Sequence, residues 1–357
     1  MKELNDGGVL SNLRKLYRKH GYLQYHMSKF EEYDLYAKNK DFLISEGVIT
    51  FNDTDGKLLA LKPDVTLSII KNGSDGEMQK VYYDENVYRV SGSTRNFREI
   101  RQLGLECIGE IDDYCIFEVL DLSLKTLAAI SDNYVLDVSH SGIISAVLDE
   151  LNISDENKVK VLSAIAQKNM HELKGILSGV VGAEDLLSVA KLCGKPSEVL
   201  PSLEKLLGAY NCQKPLSQLK ELCAAISNER LNIDFSVEGD MSYYNGIVFK
   251  GFIEGVPESV LSGGQYDPLL LKMNRKSGAI GFAVYLDSLE RLWENSEATT
   301  VDVVLLYSND DSISGVNTAA EKLISEGKRV AVLKSVPENI KYKQLLKFEQ
   351  GGVASVE

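Results

Sequence analysis

No stretch of the 357 residues approaches the roughly 20 consecutive apolar positions that a membrane-spanning helix needs. The opening MKELNDGG has no apolar core of the secretory-signal type, so a cytoplasmic protein is expected. Histidine is scarce: there are four, with no HExxH pairing, which argues against a protein-bound zinc. The five cysteines, Cys107, Cys115, Cys193, Cys212 and Cys223, are scattered, odd in number and never CxxC. That spacing suits reduced core residues better than a metal site or a disulfide framework. Positive charge is also short, with 39 basic residues against 52 acidic ones and a net charge of −13. A nucleic-acid partner would need several phosphates neutralised, yet Lys57, Lys62, Lys71 and Lys80 are dispersed among acids. What remains, 44% hydrophobic and 25% charged, is ordinary for a globular chain long enough for a large core and two domains.

The most informative stretch is KVYYDENVYRVSGSTRNFREIRQLGLECIG, residues 80–109. An apolar and aromatic run from Val81 to Tyr88 reads as a strand ending at Arg89, and the polar segment Val90 to Asn96 with Gly92 reads as a loop. Period-2 spacing then places Arg98, Ile100, Gln102, Gly104 and Glu106 on one face of a return strand. Such polar groups are costly to bury unless something polar lies against them.

Upstream, Asn12 to His20 is a basic helical segment, and Asp53, Asp55 and Gly56 form a turn before a strand over Leu58–Leu61. Pro63 stops that strand, and Asp64 and Thr66 are cap candidates for a helix over Leu67–Lys71. Downstream come a helix over 116–128, a strand over Tyr134–Val138 and an amphipathic helix. A block of short helices over about 154–228 follows, with no glycine-rich phosphate loop. Strand-like segments resume through YYNGIVF, GGQYD and GFAVY. After a polar linker, Asn295–Thr300, the pattern reads strand (VDVVLLY), helix (317–326), strand (RVAVLK) and helix (IKYKQLLKFEQGG).

This order of residues resembles the class II aminoacyl-tRNA synthetases, and among them the histidyl-tRNA synthetase family. Residues 80–109 resemble motif 2. LKPDVT resembles the family's LRPE-x-T element, with Lys62 and Asp64 in place of Arg and Glu. YYNGIVF matches its histidine-specific YY-x-G-x-VF motif, GGQYD its GG-x-YD turn, and GFA matches motif 3. The segment holding motif 1, at the dimer interface, has Ser28 where proline is usual. The resemblance implies an α+β fold: an antiparallel synthetase-like sheet with flanking helices over 1–295, a helical insertion at about 154–228, and a truncated α/β module over 301–357 like the start of an anticodon-binding domain.

The resemblance also implies which chemistry is kept. Asp64, Thr66, Arg89, Gln102, Glu106, Tyr243 and Tyr244 stand at the family's ligand positions and form the expected histidine-binding set, with Arg89 filling the place of the α-phosphate arginine. Other nucleotide contacts are missing. Ser91 replaces a glutamate, and residues 237–242 (VEGDMS) contain no arginine but do contain Glu238 and Asp240. Without gaps in motif 3, Tyr285 replaces the glycine beside adenine and Ser288 replaces an arginine; a three-residue insertion would instead recover Arg291 from LERL. A degraded ATP half beside a kept histidine half resembles the ATP phosphoribosyltransferase regulatory subunits of the same family. That resemblance implies no catalytic residue, no cofactor and no metal. It implies a short catalytic phosphoribosyltransferase subunit as partner, a homodimer through the synthetase-like domain and histidine as effector, with neither nucleic acid nor membrane. A working histidyl-tRNA synthetase and a tRNA-sensing module are the alternatives.

Overall fold

Two strands, Gln79–Val90 and Phe97–Gly109, pair antiparallel along their whole length, from Gln79 opposite Ile108 to Val90 opposite Phe97. The alternation of residues 98–106 is thereby realised: Gln102, Gly104 and Glu106 share one face, and the strand passes from exposed at Phe97 to buried at Glu106. Around this hairpin the computed structural model of the chain builds a nine-stranded sheet. Its order is Leu23–Gln24, Gln79–Val90, Phe97–Gly109, Gly278–Tyr285, Leu261–Gln265, Ile247–Ile253, Tyr134–His140, Leu231–Asp234 and Cys193–Gly194. Only the pairings of Leu23–Gln24 and of Tyr134–His140 with Leu231–Asp234 are parallel. The structure describes residues 6–40, 43, 47–90, 96–237, 243–289, 301–337, 340–349 and 352–356.

One face of the sheet is covered by the helix Asp113–Ile130, which starts where the Asp112 carboxylate accepts the Cys115 N–H at 2.8 Å. The helix Asp6–Lys19 packs beside it, and the buried Tyr17 and Thr126 hydroxyls meet at 2.9 Å. The turn at Asp53–Gly56 forms as its residues imply: the Asp53 carboxylate accepts the N–H groups of Asp55 and Lys57, and Gly56 takes φ +82°. The helical block contains Asp155–Ala166, Met170–Ile176, Ala183–Val189, Pro196–Leu207 and Gln213–Ile226. Ser154 and Asn169 cap the first two of these. The same block contributes the edge strand Cys193–Gly194, too short for any periodicity to announce it. All five cysteines are free thiols, and Cys193 is exposed, so it does not belong to the core as expected.

The chain divides into two compact units, Asp6–Arg291 and the part from Leu292 onward. The second holds a four-stranded sheet in the order Val330–Leu333, Val301–Leu306, Tyr342–Glu349 and Gly352–Ser355, together with the helix Ile313–Ser325. Here one expectation fails: the segment IKYKQLLKFEQGG is not a helix. Tyr342–Glu349 is a strand, parallel to Val301–Leu306 and antiparallel to Gly352–Ser355. Leu346 and Phe348 point into the core with Val303, Leu305 and Val316, while Lys347 and Glu349 are exposed. This period of two, and the open edge of the central strand, outweigh the helix propensity of the lysines, glutamine and leucines. The loop residues 91–95, Glu238 to Ser242, the linker 295–300 and the LERL residues from Glu290 lie outside the described residues.

Phe348→Ala should cost the C-terminal unit about 3–5 kcal/mol, as for a buried aromatic truncation. Lys347→Ala, one residue away, should change stability by no more than about 0.5 kcal/mol. Urea titration of the two variants checks this, and equal losses would contradict the strand.

Candidate functional site

The candidate site begins with glycines. Gly281 lies opposite Glu106 in the sheet, and a Cβ added there would come within 1.8 Å of the Glu106 Oε2. A Cβ on Gly104 would come within 2.4 Å of the Tyr83 ring, and one on Gly264 within 2.6 Å of the Tyr244 ring. Bare backbone at these positions lets a carboxylate and two phenol rings lie against the sheet.

Glu106 is held from both sides. Thr66 Oγ1 donates to Oε1 at 2.9 Å and the Tyr266 hydroxyl donates to Oε2 at 2.5 Å. Burial nevertheless pushes its pKa up to about 8, against the pull of those two donors, and the neighbouring Asp64 adds to the rise. Asp64 is also raised by burial, an effect opposed by the Leu67 N–H and by the Arg89 guanidinium. Its Oδ1 accepts that N–H at 2.9 Å, so Asp64 caps the helix Thr66–Asn72 while its side chain faces the site. Arg89 is buried, and its Nε donates to the Pro63 carbonyl at 2.9 Å, tying the hairpin to the turn that presents Asp64 and Thr66.

All of the expected residues, Asp64, Thr66, Arg89, Gln102, Glu106, Tyr243 and Tyr244, line one cavity. Tyr83, Ser262, Tyr266 and Tyr285 line it as well, together with residues of the strands that carry Gly263 and Gly281. Tyr83, inside the strand Gln79–Val90, and Tyr266, inside GGQYD, stand outside the expected set although both lie in segments that carry the family resemblance. Ser262 interacts with the hydroxyls of both Tyr244 and Tyr285. The cavity is small, about 40 Å³, which is room for a few waters and far below the roughly 300–1,000 Å³ of a typical ligand site.

Next to it opens a cleft of about 660 Å³ lined by Arg89, Arg98, Ile100, Val256, Glu258, Asp287 and Ser288 among others. The sequence implied an amino-acid half intact and a nucleotide half obstructed by Tyr285. Geometrically, the residues of the first half converge but fill their own space, and the second half keeps its volume. Arg89 and Tyr285 are the residues that line both. Glu258 and Asp287 line the cleft together with its two arginines. Elsewhere the dispersed lysines are engaged with carboxylates: Lys62 with Glu85 at 2.5 Å, Lys71 with Glu31 and Lys80 with Glu118 at 2.6 Å, and Lys57 with Glu32 at 3.9 Å.

A sequence profile described as histidyl-tRNA synthetase matches residues 7–289. The chain belongs to the histidyl-tRNA synthetase family. Within it, the chain is 27% identical over 334 residues to the ATP phosphoribosyltransferase regulatory subunit of Clostridium kluyveri, covering 88% of this chain and 85% of that one. It is 26% identical over 335 residues to the histidine–tRNA ligase of Methanocaldococcus jannaschii, covering 90% and 80%. Among solved structures, an ATP phosphoribosyltransferase regulatory subunit/histidyl-tRNA synthetase from Bacillus halodurans matches with TM-score 0.78 at 20% identity over 97% of this chain and 96% of that one. A chain of the ATP phosphoribosyl transferase (HisG:HisZ) complex from Thermotoga maritima matches with TM-score 0.62 at 19% identity over 80% and 98%. The fold is that of the class II synthetases. The strand Gly278–Tyr285 runs unbroken into the turn Leu286–Leu289, with Tyr285 opposite Gln102.

Between the ordinary glutamate value of about 4.3 and about 8, folding takes up a proton at Glu106. Stability therefore falls as pH rises through that window. Glu106→Gln is free of this penalty, so its melting temperature relative to wild type should climb between pH 5 and pH 8. Thermal melts across that range read the difference directly; a constant offset would mean that Glu106 does not titrate there.

Proposed function

We propose that this protein is the regulatory subunit of an ATP phosphoribosyltransferase, that it acts with a separate short catalytic subunit, and that free histidine binds between Glu106 and the tyrosine pair to convey feedback inhibition. One observation carries the reading: two carboxylates, a glutamine, a hydroxyl and a single guanidinium converge on a tyrosine-lined cavity. An amino acid presents an ammonium group, a carboxylate and, for histidine, an imidazole donor, and this set supplies a partner for each. The ammonium pairs with Glu106 and Gln102, the imidazole lies by Asp64 and the tyrosines, and the carboxylate faces Arg89. Relatives named as regulatory subunits support the assignment, as does the likeness to a chain of the HisG:HisZ complex. We take the homodimer through the synthetase-like unit and a cytoplasmic location as parts of the same reading.

The second reading, a histidine–tRNA ligase without regulatory partner, draws on the open cleft with Arg89 and Arg98 and on relatives of that name. Histidine-dependent exchange of pyrophosphate into ATP tests it. The regulatory reading requires none, and requires that adding this chain to a short catalytic subunit raise phosphoribosyltransferase activity and make it sensitive to histidine.

Histidine binding should also release a proton. Glu106 is mainly protonated at pH 7 when its pKa stands near 8, and an ammonium partner favours its ionised form. Calorimetry at pH 7 in two buffers of different ionisation enthalpy should return about one proton released per histidine, and none for Glu106→Gln. Equal proton counts for the two proteins would separate Glu106 from the ligand.

A further inference from the structure

A 40 Å³ cavity cannot take an amino acid without movement, and its lining points to the group that moves. Of the residues shared with the 660 Å³ cleft, Arg89 is buried and fixed by the Pro63 carbonyl. Tyr285, by contrast, is the last residue of its strand and only partly buried. Its backbone N–H is held by the Val260 carbonyl at 2.9 Å, while the side chain stands between the two spaces with Ser262 as its polar neighbour. Swinging that ring outward joins the cavity to the cleft without disturbing a strand pairing.

Charge then fixes the direction in which a ligand lies. Arg89 is the one cation among the described lining residues and also lines the cleft, where neither Asp64 nor Glu106 reaches. A zwitterion thus turns its ammonium inward and its carboxylate toward Arg89 and Tyr285. Anything attached through that carboxyl has to pass through the space of the Tyr285 ring.

Building on the histidine reading above, we infer that Tyr285 is the specificity-determining wall of the site: it opens to admit a free amino acid, closes over the carboxylate beside Arg89, and excludes amino acids whose carboxyl is joined to a nucleotide. The selected ligand class is free α-amino acids, against acyl-nucleotides.

Calorimetry on the full chain tests this with two probes, histidine and the non-hydrolysable histidyl sulfamoyl-adenosine. Wild type should bind histidine and take the sulfamoyl compound roughly a hundredfold more weakly. Tyr285→Gly should bring the sulfamoyl compound to within about tenfold of histidine, whereas Tyr285→Phe, which keeps the ring, should still exclude it. Wild type binding both equally would overturn the inference, and that comparison needs no variant to fold. A Tyr285→Gly protein that binds histidine and gains nothing for the adduct would overturn it too. If wild type does not bind histidine at all, the functional reading falls and this inference falls with it; the other two outcomes leave that reading standing.

Discussion

A glutamate carboxyl buried against glycine backbone, with a hydroxyl donor on each of its oxygens, is what the surrounding sheet has to accommodate. Removing an ionised carboxylate from water costs several kcal/mol unless donors replace the lost hydration. Thr66 and Tyr266 supply two such donors, and both depend on distant chain segments: Thr66 on the turn after Pro63, Tyr266 on the end of the strand Leu261–Gln265. The turn in turn is anchored by Arg89, through the Pro63 carbonyl, and by the Asp64 cap on the helix Thr66–Asn72. Gly281 must stay a glycine, because a methyl there would occupy the place of the carboxylate. One buried acid therefore couples the hairpin, the cap and two strands from the far end of the chain.

The acidic balance of the molecule is consistent with the same economy. Asp84 holds Arg101 at 3.0 Å and also pairs with Arg14, and Glu118 takes Lys80, the Tyr22 hydroxyl and the ring of His20. Lys62 is almost fully buried on Glu85. These cations serve structure, and a cation already paired with a carboxylate is a poor clamp for phosphate, since binding would first break the pair. Exposed pairs of this kind contribute little to stability, but breaking a buried one such as Lys62–Glu85 leaves an uncompensated charge.

Much of this was legible in the sequence where local rules and tertiary demand agree. Period-2 spacing placed Gln102 and Glu106 on one face, and Pro63 with Asp64 marked a strand end and a cap. The motif order located Tyr243 and Tyr244 far along the chain. Legibility failed where tertiary pairing decides. Tyr342–Glu349 carries lysine, glutamine and leucine, all compatible with a helix, yet an open strand edge beside Val301–Leu306 draws it into the sheet. Cys193–Gly194 has only two residues and thus no pattern to read. Nor can residue identity give volume: the same side chains could surround an open pocket or close on themselves, and only their packing separates the two.

That packing bears on how such a site could signal. A site that must open before it binds lowers its apparent affinity by the fraction of molecules already open, and the ligand then shifts that fraction. The moving ring at Tyr285 is followed directly by the turn Leu286–Leu289, where Asp287 accepts the Arg101 N–H at 3.1 Å. Arg101 grips Asp84, which also holds Arg14 on the helix Asp6–Lys19. Contiguity of this sort is not coupling in itself; coupling requires an element with two arrangements that the ligand binds unequally. A ring that fills the cavity in one position and opens it in the other meets that requirement, because a ligand needing the space binds only one of the two. The contacts from Asp287 through Arg101 and Asp84 to Arg14 continue from that ring to the N-terminal helix.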